Sequence, residues 1–283
     1  MKNLLSYKTL SLLRFLIYFV AFLASVFAVF SLAEKIGSKQ VKDQSAFRIM
    51  TYNIHHAEGM DGIVNLERIA DVIKKENPDI LLLQEVDINL NRSGNMDIPQ
   101  LLSKKTGLKN VVFGKNLDID TGSYGNATLS RYLIASSKNF QFERIGSEQR
   151  GILATEISLH GREILVLNSH FDHSQDDAER ILNAEKIIHE ILPKYNADVV
   201  LFGGDFNDIP TSQMYQKLNE KFQDTWMIFG QGDGMTIPAD QPIKRIDYIL
   251  FSGNIQPDSI WIPKTEASDH LPVVADFILA EDE

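Results

Sequence analysis

An α/β fold made of two packed β-sheets flanked by helices is what this sequence predicts, and three observations carry the prediction. From residue 47 onward, short strand-like runs greatly outnumber helical ones, which favours face-to-face sheets over a single doubly wound sheet. Two of those runs, 79–84 and 198–202, are almost continuously apolar, so both of their faces must be buried. Neither a domain break nor an internal repeat interrupts the pattern. With 283 residues, 44% hydrophobic and 23% charged, the chain is long enough to bury one large core.

Taken in order, the chain opens with Lys2, Lys8 and Arg14 and no acid up to residue 33. Residues 15–33 carry no charge and match the length of a membrane-spanning helix. The basic lead places residues 1–14 in the cytoplasm and everything after the span outside it. An uncleaved N-terminal membrane helix is expected. Ser31-Leu32-Ala33 is a small-x-small sequence, so a removable signal peptide is the competing reading. Residues 34–46 are polar and aperiodic, a tether to a domain at 47–280.

Within that domain, residues 47–53 read as a strand. Residues 64–76 place Val64, Leu66, Ile69, Ala70, Val72 and Ile73 at helical spacing, stopped by Asn77-Pro78. A strand at 79–84 follows, then a helix over 98–106 ending at Gly107. Strands are expected near 111–113, 127–130, 133–135, 152–157 and 164–168. Residues 176–192 read as the longest helix of the domain, closed by Pro193. Strands at 198–202, 246–251, 259–262 and 273–278 complete the set. Loops are expected at 89–99, 115–123 and 229–242, the last glycine-rich and suited to covering a site.

Composition excludes some chemistry. With no cysteine there is no disulfide framework, thiolate ligand or thiol nucleophile. The formal charge is −10, and it is more negative once the basic N-terminus is set aside. Such a surface disfavours binding a polyanion by counterion release. Lys74-Lys75 and Lys104-Lys105 are isolated pairs on helices, more readily solvated faces than phosphate grips.

The chemistry lies at the ends of the apolar runs. TYNIHH puts Asn53 after one strand, and LLLQEVD puts Glu85 after another, where a carboxylate needs a cation. NSHFDH contributes His170, Asp172 and His173. LFGGDFND contributes Asp205 and Asn207 behind a Gly203-Gly204 turn that would let backbone approach a ligand. RIDYIL embeds Asp247, and ASDHLPV presents Asp269-His270. Ligands gather beyond the carboxyl ends of strands in α/β sheets, so these groups are candidates for one site.

These segments, in this order, resemble the endonuclease/exonuclease/phosphatase superfamily, and NIHHAEGMDG, EQRG and HFDHSQDDAER are similar to its exported bacterial members. The resemblance spans about 47–278. It implies a four-layer α/β/β/α sandwich of two mixed sheets and a hydrolase of phosphate esters. It assigns Glu85, Asn53 and Asp269 to a Mg²⁺ site, with Mn²⁺ as the alternative ion. It makes His270 the general base, oriented by Asp247. Asp205 and Asn207 would position the attacking water and the phosphoryl oxygens, and His170 would stabilise the transition state or protonate the leaving oxygen. Tyr124, Asn126 and Arg150 would contact the phosphate. The sequence departs from many nuclease members at His55, where they carry an acid or amide. The roles of His55, His56 and His173 stay open, between metal or substrate groups and polar rim residues. His160 and His189 read as solvent-facing. Asn91-Arg92-Ser93 and Asn126-Ala127-Thr128 form glycosylation sequons, relevant only in a eukaryote.

Three functions follow. The first is a membrane-attached, outward-facing phosphodiesterase or phosphatase acting on a lipid headgroup or small phosphoester. The second is an extracytoplasmic nuclease, against which the charge argues. The third is a non-catalytic binding module on the same fold, which would normally lack the base, its Asp or the metal Glu. Substrate identity and oligomeric state are not encoded legibly.

Overall fold

The computed structural model describes residue 25 and residues 46–145, 148–159 and 161–280. The expected membrane helix at 15–33, its basic lead at 1–14 and the tether at 34–46 fall outside them, residues 25 and 46 excepted. The same holds for His160. Among the described residues no helix is long and apolar enough to cross a membrane.

Residues 46–280 build two six-stranded sheets. One runs β11 (Ile255–Trp261), β12 (Val273–Leu279), β1 (Ala46–Asn53), β2 (Ile80–Ile88), β4 (Gly122–Ser130), β3 (Asn110–Ile119). The other runs β5 (Leu133–Gln141), β6 (Gly151–Leu159), β7 (Arg162–His170), β8 (Val199–Asp205), β10 (Asp247–Gly253), β9 (Gln223–Asp224). Each sheet is mixed: β1–β2 and β7–β8 pair in parallel and their other neighbours are antiparallel.

Alternation along the strands explains the layers. On β2, Ile80 and Leu82 point toward the second sheet and pack with Ile157, Val166 and Leu201. Leu81 and Leu83 point the other way, against Ile69 and Ile73 of α1 (Leu66–Glu76) and Leu102 of α2 (Ile98–Thr106). Burying each such side chain contributes roughly 1.5–3 kcal/mol. The second sheet is covered by α3 (Ala178–Lys186), its continuation at Ile187–Ile191, and α4 (Gln213–Asn219), through Ala184, Ile187, Ile191, Met214 and Leu218. The short α5 (Thr225–Phe229) lies beside β10 and β11. The expected two mixed sheets with helices on their outer faces are what is seen.

Helix ends follow local chemistry. Asn65 caps α1 by accepting from Glu67 N, and Asn77 ends it in the left-handed conformation. Asp97 caps α2 by accepting from Gln100 N, and Gly107 closes it at φ 80°.

Several expected boundaries move. Residues 115–123 are no loop but the tip of the long β3–β4 hairpin. The helix expected over 176–192 begins at Ala178, widens into a π-helical turn at Ile187–Ile191 and ends in a 3-10 turn that contains Pro193. Gly203 and Gly204 lie inside β8 rather than in a turn. Both make room for neighbours: a Cβ on Gly203 would meet Leu82 Cδ1 of the facing sheet at 2.7 Å, and one on Gly204 would meet Ser169 O of the adjacent strand β7 at 1.9 Å. The 229–242 stretch is tied down by backbone bonds from Leu271 N to Thr236 O and from Ala239 N to Asp269 O, both 2.8 Å.

Candidate active site

At one end of the sandwich the apolar core gives way to a polar layer. Gln84 Nε2 donates to Asn168 Oδ1 at 2.8 Å across the two sheets and to Thr51 Oγ1 at 3.1 Å. Asn168 Nδ2 returns to the first sheet, donating to Ala127 O at 2.9 Å. One level further out lie the residues singled out by the sequence. Asn53 ends β1, His170 ends β7 and Asp205 ends β8. Asp247 begins β10 directly opposite Asp205 in the antiparallel register.

Glu85 departs from expectation: it lies within β2, not after it. The register between β2 and β4 slips by one residue between Leu83 and Val86, and Glu85 there adopts φ 56°. Such a bulge re-aims a side chain that regular pleating would send into a neighbouring layer. Here it turns the carboxylate into the cleft beside Asp205.

Asn53 joins the two acids. Its Nδ2 donates to Glu85 Oε1 at 3.1 Å and to Asp205 Oδ2 at 2.9 Å, while its Oδ1 accepts from His55 N at 3.0 Å. His270 Nδ1 lies 2.9 Å from Asp247 Oδ2. The ring's other nitrogen is 3.7 Å from Asp205 Oδ2, and His170 Nε2 is 3.4 Å from that same oxygen. Asp205, Asp247 and His270 thus form a cluster whose ligand atoms all lie within 4.8 Å of one another.

His170 lies between donors. Arg150 Nη1 is 3.0 Å from its Nδ1 and can only donate. Asn207 Nδ2, which also donates to Phe171 O at 3.1 Å, is 2.9 Å from its Nε2. Burial, Arg150 and His270 hold the His170 imidazole well below the usual histidine range, so it is neutral. His270 behaves oppositely. Burial disfavours its charged form, but Asp247 and Asp205 outweigh burial and lift it to about 10. The Asp205 carboxyl is pushed up by burial, with Asp247 adding to the rise and His270 opposing it.

The cleft has a volume of about 250 Å³ and is lined by Glu85, Tyr124, Arg150, His170, Asp205, Asn207 and His270, among others. Asp247 stands behind His270 and does not line the cleft. Asn126 is buried and donates to Gly151 O at 3.2 Å, so it braces β4 against β6 instead of lining the cleft. Asp269 lies toward His55, 3.8 Å from its Nδ1, on the flank of the site. Asp172 accepts from Ser174 N in the loop beyond β7. His189 is exposed.

Sequence reading passed over Arg92, Glu148, Leu117 and Ile119, which complete the cleft wall, and left His173 open. Arg92 grips the buried Asp87 with two bonds of 2.9 and 2.8 Å and lies over the Tyr124 ring at 5.3 Å. Arg150 Nη2 reaches Glu148 at 2.8 Å and His173 Nδ1 at 3.2 Å. The only available signal for Arg92 was an acid five residues upstream, which is too common to count. Leu117 and Ile119 lie in the β3–β4 hairpin where a loop is expected from the sequence.

The donors suit a divalent cation. Glu85 and Asp205 share the Asn53 amide, and among the described residues no Lys or Arg forms an ion pair with Glu85. Asp247 Oδ1 is buried and has no hydrogen-bond partner. His270 faces Asp247 and Asp205, so Glu85 is the acid left to call for positive charge.

Comparisons with known proteins identify the family. The Escherichia coli K12 protein YbhP is 26% identical over 255 residues, covering 83% of this chain and 98% of its own length. Tyrosyl-DNA phosphodiesterase 2 of Bos taurus is 26% identical over 179 residues, 60% of this chain and 44% of its own length. The crystal structure of an endonuclease/exonuclease/phosphatase from Beutenbergia cavernae superposes with a TM-score of 0.67 at 24% identity, covering 83% of this chain and 72% of that one. A family model matches residues 50–270, and the chain belongs to the endonuclease/exonuclease/phosphatase family.

Proposed function

We propose that this protein is a divalent-cation-dependent hydrolase of phosphate esters, acting on a small phosphoester or a lipid headgroup. The observation that carries the reading is Asn53 bonded to both Glu85 and Asp205, with the Asp247–His270 pair on the same oxygen of Asp205. A base and a cation-binding acid therefore share one cleft. The cleft's cationic wall, Arg92 and Arg150, supports an anionic substrate.

In this reading, water attacks phosphorus in line with the departing oxygen. His270, in its neutral form, takes the water's proton at Nε2 while Asp247 holds Nδ1–H, the P–O bond to the leaving group breaks, and the leaving oxygen gains a proton from solvent. The Asn207 amide donates to phosphoryl oxygens as charge develops, and His170 stands beside it to stabilise that charge. Asp205 and Asn53 orient the water. Glu85, with Asn53 and Asp269 nearby, would hold Mg²⁺ or Mn²⁺. When bound there, the ion would supply positive charge to the phosphoryl oxygens and lower the proton affinity of neighbouring groups.

The membrane reading is part of the proposal. The uncharged 15–33 segment behind Lys2, Lys8 and Arg14 supports anchoring with the catalytic domain on the extracytoplasmic side. A nuclease is the second reading, and the name of the Bos taurus relative favours it. The net charge of −10 weighs against it. The test is a panel with purified full-length chain and Mg²⁺ or Mn²⁺: phosphatidylinositol phosphates, sphingomyelin, sugar phosphates, a bis-aryl phosphodiester and plasmid DNA. Turnover on lipid or small esters, abolished in His270→Ala, supports the proposal. Turnover confined to DNA and falling steeply with salt would replace it with the nuclease reading.

A further inference from the structure

A second constellation of ligand atoms lies beside Glu85. One ring nitrogen each from His55 and His56 and a carboxylate oxygen of Glu85 all lie within 4.8 Å of one another. The two imidazoles are edge to face, with centroids 4.5 Å apart. Each has its Nδ1 buried and without a hydrogen-bond partner. His56 is 94% buried, since its residual exposure is 6%. Its Nε2 sits 3.3 Å from Glu58 Oε2. A carboxylate accepting from one imidazole nitrogen leaves the lone pair on the other, the arrangement found around metal-bound histidines.

The backbone is bent to make this grouping. His55, His56 and Ala57 take φ of 42°, 45° and 71° in succession, and Glu85 takes 56°. Left-handed conformations at non-glycine residues are strained, and such strain gathers where surrounding structure and function demand it. Ala57 N to Ile54 O at 2.7 Å, Glu58 N to His55 O at 2.8 Å and Asn53 Oδ1 on His55 N hold the turn. The same Asn53 side chain holds Glu85, so one amide sets both halves of the cluster.

We propose that His55, His56 and Glu85 form a site for a late first-row divalent ion such as Zn²⁺ or Co²⁺. Two imidazole nitrogens and one carboxylate oxygen are a borderline-soft donor set, which binds zinc and cobalt in preference to magnesium; an all-oxygen set prefers magnesium. The inference rests on the hydrolase reading only in sharing Glu85, and it assigns this chain a metal preference unlike an oxygen-only centre. His55, where the sequence leaves the pattern of many nucleases, becomes the cause of that preference.

The test is a Co²⁺ titration of the metal-free full-length protein, read by visible absorption and by calorimetry, with His55→Asn and His56→Asn alongside. Asparagine tolerates the left-handed backbone at both positions, and circular dichroism checks that each variant is folded. Expected is one tight Co²⁺ per chain with visible bands that shift when either histidine is replaced, and at least tenfold weaker binding in each variant. Wild-type Co²⁺ affinity in both variants, or a spectrum unchanged by either substitution, would overturn the site. Phosphoester turnover is measured separately with Mg²⁺. Turnover in wild type with unchanged Co²⁺ binding in the histidine variants sinks this inference alone. Histidine-dependent Co²⁺ binding with no turnover under any metal sinks the hydrolase reading and leaves the site standing.

Discussion

His270 Nδ1 and Asp247 Oδ2 are 2.9 Å apart, although 23 residues separate them in the chain and both side chains are almost wholly buried. Asp247 is placed by the β8–β10 pairing and His270 by the loop that enters β12. Their meeting therefore joins the two sheets at the cleft. It fixes the ring so that Nε2 faces Asp205.

Asp247→Asn should lower turnover by about 10²–10⁴-fold, the usual worth of an oriented general base. It should also move the alkaline-rising limb of the pH–rate profile to lower pH, because the carboxylate is what lifts His270 to about 10. A pH series of kcat on wild type and variant checks both effects. An unmoved inflection would mean that another group sets the limb.

Stability should depend on pH in a definite direction. His270 is raised on folding, so its contribution is complete below about 6.5, the unfolded value, and is lost as pH rises through about 10. Asp205 is also raised, so its contribution is likewise lost as pH rises. The metal-free protein should therefore melt at progressively lower temperature from pH 6 to pH 10. Asp205→Asn should flatten the part of the fall that comes from its carboxyl. Thermal unfolding in chelator across that range reads the slope, and a Tm that climbs with pH would contradict it.

The legible parts of the sequence were those with local causes. Helix α1 showed its apolar stripe and Asn77, and buried strands β2 and β8 showed their apolar runs. The site residues were legible because most stand at strand ends within distinctive short segments. Glu85 was placed one step wrong because a bulge is a register event between β2 and β4, invisible in either strand alone. The Gln84–Asn168 bond was equally hidden: each amide looks like ordinary strand-end polarity until the second sheet is laid over the first. Gly203 and Gly204 suggested a turn, since sequence alone does not distinguish a glycine that bends the chain from one that makes room for a neighbouring layer.

Arg92 offers a separable test of the cleft wall. It pairs with Asp87, whose side chain is fully buried, so Arg92→Ala leaves a carboxylate without its cation. Such a loss costs about 3–5 kcal/mol when a buried pair is broken, and the half-exposed Arg92 side chain places this case toward or below the lower end. Asp87→Asn in the same background should recover part of it, giving a measurable coupling in a double-mutant cycle. Urea unfolding of the four proteins reads the coupling. Additive losses would show that the two side chains act independently.

Gly204 ties fold and chemistry together one residue before Asp205. Its φ is 152°, and a Cβ there would fall 1.9 Å from Ser169 O on the neighbouring strand β7. That oxygen belongs to backbone in a parallel pair and has no rotamer by which to withdraw. Gly204→Ala must therefore part β7 from β8, at the level where His170 and Asp205 face each other in register. Overpacking of a tight interior typically costs 1–3 kcal/mol, and about 3 kcal/mol is expected here because backbone itself must move. Turnover should fall further than stability, since the His170–Asp205 spacing of 3.4 Å widens with the strands. Urea unfolding and kcat measured on the same preparation separate the two losses. A variant as stable and as active as wild type would show that the two strands are not held as closely as this contact requires.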